Sequence, residues 1–152
     1  MFDTIIWATD GSDLADTALP FIRRLADLHH SRVVAVHADE HLRGRFGGAP
    51  VLADEDDLRV KLRKQVEELA AAGLSIELKV EVSATHSPAT LIAEAAEELG
   101  ADLVVVATHG RGAAGSALLG SVAKALLHEA PCPVLVITPA AKLSGVYGAV
   151  GA

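Results

Sequence analysis

Leu103-Val104-Val105-Val106-Ala107-Thr108-His109-Gly110 is the stretch on which the reading of this chain turns. Its apolar part lacks polar alternation and is rich in β-branched residues, the pattern of a strand buried on both faces. Glycines follow at Gly110 and Gly112, and Gly110 is followed, after nine residues between, by Gly120-Ser121. A glycine-bearing segment that leaves a buried strand and ends in Gly-Ser before a helical pattern offers backbone N–H groups to a phosphate. The competing reading is an ordinary surface loop, since glycine and alanine punctuate many loops.

Working outward, strand and helix patterns alternate. Strands are expected at residues 4–9, 32–38, 74–82, 103–108 and 134–138. Helices are expected at 13–29, 54–72, 88–99 and 121–129. The first helix carries Leu14, Ala18, Ile22 and Leu25 on one stripe, with Pro20 as the misfit, so a kink or a late start is expected there. The second carries Leu58, Leu62, Val66 and Leu69 and stops at Gly73. Ser87 is a good N-cap for the third, with Pro88 at its first position and Gly100 after its end. The third strand alternates apolar and polar residues from Leu74 to Val82, which suits a sheet edge.

This alternation predicts an α/β fold: a parallel sheet with helices on both faces. With right-handed crossovers, the expected strand order is 3-2-1-4-5. The winding then reverses between strands one and four, and ligands in such sheets bind beyond the carboxyl ends of the strands at that reversal. The loops that meet there are Asp10-Gly11-Ser12-Asp13 and the glycine segment.

Composition narrows the class. The chain has 152 residues, enough for one domain with a real core. Thirteen basic against 20 acidic residues give a net charge of −7, which opposes nonspecific binding to nucleic acid or to an anionic membrane. No apolar run is long enough to span a bilayer, and residues 1–9 carry no basic, apolar signal pattern, so a cytoplasmic protein is expected. The single cysteine, Cys132, cannot form an internal disulfide and is expected to be a small buried residue. The seven histidines are scattered without metal-binding spacing, so no metal site is expected. No Gly-Lys-Ser/Thr and no Gly-x-Ser-x-Gly occurs, and no catalytic residue is assigned. The acidic run Asp54-Glu55-Asp56-Asp57 reads as a helix N-terminus complementing its dipole. Residues 43–50, with Gly44, Gly47 and Gly48, read as a long surface loop that could cover the crevice.

At Gly110-(nine residues)-Gly120-Ser121 the chain resembles the universal stress protein family, whose nucleotide-binding members carry Gly-x-x-Gly, nine residues, Gly-Ser/Thr. The resemblance extends through Thr9-Asp10-Gly11-Ser12, Leu118-Leu119-Gly120-Ser121-Val122-Ala123 and Ala130-Pro131-Cys132-Pro133-Val134-Leu135-Val136-Ile137. It implies a domain over residues 1–139 with a loosely held tail at 140–152. The implied fold is a single-domain Rossmann-like sandwich of the adenine nucleotide alpha hydrolase type. The implied ligand is ATP, AMP or another adenine nucleotide, and a triphosphate could bring Mg2+ with it.

Carried over residue by residue, the nucleotide would be held by Ala8, Thr9 and Asp10, by Ala38 beside the adenine, and by Ala107, His109, Gly110, Arg111 and Gly112. Gly120, Ser121 and Val122 complete the set, with N–H groups and the Ser121 hydroxyl on phosphate. Two readings of Asp10 stay open: an acceptor for ribose or adenine, and a turn or capping aspartate. Arg111 is a phosphate partner or a solvated side chain, and His37 reads as a strand-packing histidine. Two positions depart from the pattern. Ala107 replaces the first glycine, and His86-Ser87-Pro88 stands where Gly-x-Pro is common. The resemblance further implies a homodimer through Val134, Leu135, Val136 and Ile137. Its functional expectation is a nucleotide-responsive stress or regulatory module. The alternatives are a dimeric stress protein without nucleotide that works through protein contacts, and a slow ATP hydrolase.

Overall fold

The computed structural model describes residues 1–40, 52–108 and 119–143. Five strands, β1 (Thr4–Ala8), β2 (Arg32–Glu40), β3 (Ile76–Ser83), β4 (Leu103–Ala107) and β5 (Val134–Ile137), form one sheet of order β3-β2-β1-β4-β5. Every pairing is parallel. The α/β class and strand order expected from the sequence are those observed.

Helices cover both faces. Ile6, Ala8, Val34, Val36, Ala38, Val104 and Val106 pack with buried residues of α4 (Pro88–Glu98) and α5 (Ser121–Glu129). On the other face Ile5, Trp7, Val33, Ala35 and Val105 pack with Ala18, Ile22 and Ala26, and with Val66 of α3 (Leu52–Ala71). Period-two alternation along each strand makes this division, because successive side chains point to opposite faces.

The first helical segment is two helices, α1 (Asp13–Asp16) and α2 (Leu19–His29). Proline explains the break. Pro20 falls in the first turn of α2, where its missing N–H removes no helical bond. Ser12 caps α1 by accepting from the Ala15 N–H, and Ser87 caps α4 by accepting from the Thr90 N–H. Gly100 follows α4 with φ +59°, and Gly73 follows α3 with φ +93°. Strand β3 begins at Ile76, two residues later than the alternation implied, because the Leu74 N–H still closes the end of α3 on the Leu69 carbonyl. Its place at the sheet edge matches its half-covered pattern. Cys132 is half-buried against the α4–α5 side, more exposed than expected, and burial raises its thiol pKa.

The neighbouring strands β1 and β4 are pinned at their N-terminal ends by Asp102. Its carboxylate accepts from the N–H groups of Asp3 at 2.8 Å and Thr4 at 2.9 Å, while its own N–H donates to the Thr4 carbonyl. These bonds, Thr4 first, hold the carboxyl below its ordinary value of 3.8. A depressed carboxyl stabilises the fold fully above that ordinary value and loses its contribution as pH falls through the folded value. Urea midpoints of wild type and Asp102→Ala should therefore differ at neutral pH and draw together as the pH falls below the carboxyl's ordinary 3.8. A gap unchanged by acid would contradict this role.

Candidate functional site

Pairing of Ala8 with Val106 and of Ala107 with Ile137 brings the carboxyl ends of β1, β4 and β5 side by side. The Thr9 N–H donates to the Val36 carbonyl, and the Thr108 N–H to the Ile137 carbonyl, so both connecting segments leave the sheet at one rim. Of the residues expected to bind, Ala8, Thr9, Asp10, Ala38, Ala107, Gly120, Ser121 and Val122 are described. His109, Gly110, Arg111 and Gly112 lie outside the described residues, as does the loop 43–50.

The β1 loop is tightly folded. Asp10 Oδ1 accepts from the Ser12 N–H at 3.0 Å and the Ser12 hydroxyl at 2.6 Å, and Ser12 Oγ accepts in turn from the Ala15 N–H. Asp10 thus makes the turn and orients the α1 cap, the second of its two readings. It remains half-exposed at the rim, where it can also meet a ligand. Gly11 has φ +73° and donates its N–H to Thr9 Oγ1. A Cβ there would lie 2.3 Å from Leu58 Cδ1, so α3 packs directly on this glycine.

At the other side of the rim, the Gly120 N–H donates to the Thr108 carbonyl. The Gly120 N–H is spent inside the protein, and the groups left at the start of α5 are those of Ser121, Val122 and Ala123. Gly120 provides no side-chain cap, in contrast to Ser12 and Ser87 on α1 and α4. A helix start of this kind carries partial positive charge and donors suited to an anion. Ser121 is exposed and Val122 half-buried.

The two departures from the family pattern cost little locally. Ala107 is in β4, and the only non-glycine residue with positive φ among those described is His30, so extended backbone serves at 107 without glycine's freedom. His86 is exposed, with Nδ1 3.5 Å from a Glu94 carboxylate oxygen, while Ser87 caps α4.

A polar cluster on the α3 side was not legible in the sequence. His37 is 1% exposed, with Nδ1 3.0 Å from the Thr9 carbonyl and Nε2 3.1 Å from Glu55 Oε2. Asp39, also buried, pairs with Arg59 of α3, and the Lys61 ammonium donates to the Gly11 carbonyl at 2.7 Å. The acidic run therefore does more than complement a helix dipole, since Glu55 reaches into the core. Among the described residues no three His, Cys, Asp or Glu side chains converge as a metal site. Among them, too, no helix is long and apolar enough to cross a membrane.

A parallel sheet of order β3-β2-β1-β4-β5 with helices on both faces defines the class of a Rossmann-like α/β protein. The family follows from comparison. The universal stress protein family model matches residues 1–138, and the chain belongs to that family. A universal stress protein of Thermus aquaticus is 36% identical over 137 residues, covering 90% of this chain and 99% of its own. Universal stress protein A homolog 2 of Coxiella burnetii is 32% identical, over 78% and 84% of the two chains. Among solved structures, MJ0577 of Methanocaldococcus jannaschii superposes with a TM-score of 0.70 at 26% identity, covering 95% of this chain and 99% of that one. A universal stress protein in complex with cAMP superposes with a TM-score of 0.67 at 25% identity, over 90% and 97%.

Gly11→Ala tests the packing of the β1 loop on α3. A Cβ at positive φ against Leu58 should cost about 1–3 kcal/mol, read as a lower urea midpoint. An unchanged midpoint would show that the loop is not held in this conformation.

Proposed function

We propose that the chain binds an adenine nucleotide, ATP or a close relative, at the rim where β1 and β4 end, and serves in the cytoplasm as a nucleotide-responsive stress or regulatory module. The observation that carries this reading is the start of α5, where Ser121, Val122 and Ala123 offer N–H groups without a side-chain cap. It adjoins the glycine-bearing segment between Thr108 and Gly120, which a hydrogen bond joins. The phosphates would sit on these N–H groups, with Gly110, Gly112, His109 and Arg111 contributed by the segment between. Asp10 at the β1 end would accept from ribose or adenine, next to the backbone of Ala8 and Thr9. Ala8 and Ala38 are small side chains on the same sheet face, and a flat base would lie beside them. The solved relative in complex with cAMP supports the adenine-nucleotide class. A triphosphate would add Mg2+ as a phosphate partner.

A local anion site also suits the charge balance. At −7 the protein repels a polyanion overall, so affinity for a nucleotide must come from short-range donors. Calorimetric titration with ATP should give saturable binding to wild type. Gly120→Val, which puts a branched side chain at the α5 start, should weaken it by about tenfold or more. Absence of heat in the wild-type titration would favour the reading in which the protein works through protein contacts alone.

We further propose a homodimer through β5. The two sheet edges differ: β3 carries Lys79, which bonds Glu81 at 2.9 Å and Glu98 at 3.1 Å, whereas β5 presents half-buried Val134, Leu135 and Val136. Charged residues discourage pairing at an edge, and an apolar edge invites it. Sedimentation at micromolar concentration should show a dimer, and Val136→Lys should shift it toward monomer. A monodisperse wild-type monomer would overturn the proposal.

A further inference from the structure

The buried pair His37–Glu55 has an oxygen acceptor problem that a single proton solves. His37 Nδ1 faces the Thr9 carbonyl at 3.0 Å, and Nε2 faces Glu55 Oε2 at 3.1 Å. A carbonyl only accepts, an ionised carboxylate only accepts, and a neutral imidazole has one N–H. Neutral imidazole with carboxylate therefore supplies one hydrogen for two contacts. One added proton, on Nε2 or shared with Oε2, completes both. Without it, a bare nitrogen lone pair confronts an oxygen in a region with little water to relieve it.

The place of this pair gives the count a consequence for the site. Thr9 directly precedes Asp10, and Gly11 directly follows it. The Thr9 carbonyl is held by His37, behind which stands Glu55, and the Gly11 carbonyl is held by Lys61. Residues Glu55 and Lys61 both belong to α3, so one helix grips the β1 loop on either side of Asp10. We propose that His37 and Glu55 are positioning residues for the nucleotide rim: a one-proton latch that holds Thr9–Asp10 in place, so that affinity for an adenine nucleotide falls when the latch loses its proton. The coupling to nucleotide rests on the function proposed above.

The surroundings leave the latch as the group to watch. Among the described residues, the nearby charges on the β2 face are Asp39 with its partner Arg59 from α3. Lys61 of α3 and Asp10 of the loop flank the same turn. Strand β3 places Val80 opposite His37, and β1 places Trp7 on the shared face, neither of which is ionisable.

The test compares wild type, Glu55→Gln and Glu55→Ala at about pH 6 and about pH 8.5, by ATP calorimetry and by urea midpoint. A glutamine amide donates to Nε2 of a neutral imidazole, so Glu55→Gln needs no added proton to make both contacts. Wild type should lose about tenfold in affinity between the two pH values, the scale of one buried hydrogen bond. Glu55→Gln should change by less than about twofold once the shared protonation of ATP itself is subtracted. Glu55→Ala should bind weakly at both. Parallel change in wild type and Glu55→Gln overturns the latch. A urea midpoint that responds to pH while affinity does not overturns the positioning role, leaving only a structural pair. Nitrogen-15 NMR of the His37 ring in wild type decides the latch without a variant. At about pH 6, Nδ1–H together with a hydrogen on or donated to Nε2 supports it, and a single N–H at Nε2, or Nδ1–H beside a bare Nε2, overturns it. Should no form bind ATP at either pH, the nucleotide reading and its coupling fail, while the NMR and urea results still judge the latch.

Discussion

The parallel pairing of β1 with β4 is the constraint from which the candidate site follows. It sets Ile5 beside Leu103 and Ala8 beside Val106, strands far apart in sequence, and it is clamped at the opposite end by the Asp102 carboxylate. Once these two strands are neighbours, the chain must leave β1 toward α1 and leave β4 toward α5 from the same rim. In open sheets of this kind the winding reverses between two such strands, and ligands bind at that reversal. A site at this rim thus comes from topology, and the residues placed there determine what it can hold.

Those residues divide into a rigid side and a donor side. The β1 loop spends its polar groups on itself: Asp10 on Ser12, Ser12 on Ala15, Gly11 on Thr9. From behind it is held by α3 through His37–Glu55 and Lys61. The α5 side is the reverse: the Gly120 N–H is committed to Thr108, and the next N–H groups start a helix without a side-chain cap. Such an arrangement suits a ligand whose one end needs shape and a few acceptors and whose other end is anionic. Proposing a nucleotide joins those two requirements in one molecule.

The strand order was legible because each strand announces itself by a different device. Leu103-Val104-Val105-Val106 shows no alternation and is buried, while β3 alternates and lies at an edge. Caps were legible for the same reason: Ser87-Pro88 and Gly100 are local chemistry and need no tertiary partner. Pro20 marked a break but not its form, since a proline is compatible with either a kink or a new first turn.

What the sequence hid depends on contacts between distant residues. Glu55 in an acidic run looks solvated, yet it is buried and meets His37, 18 residues earlier in the chain. Likewise the commitment of the Gly120 N–H to Thr108 cannot be seen from a glycine spacing, which records freedom and not partners. The most direct measurement of the account is an amide NMR titration of the wild-type protein with ATP. The account predicts that the largest shifts gather at Thr9–Gly11, Ala107–Thr108 and Ser121–Ala123, at the rim of β1 and β4. Saturating shifts confined to another surface, or none at all, would contradict it.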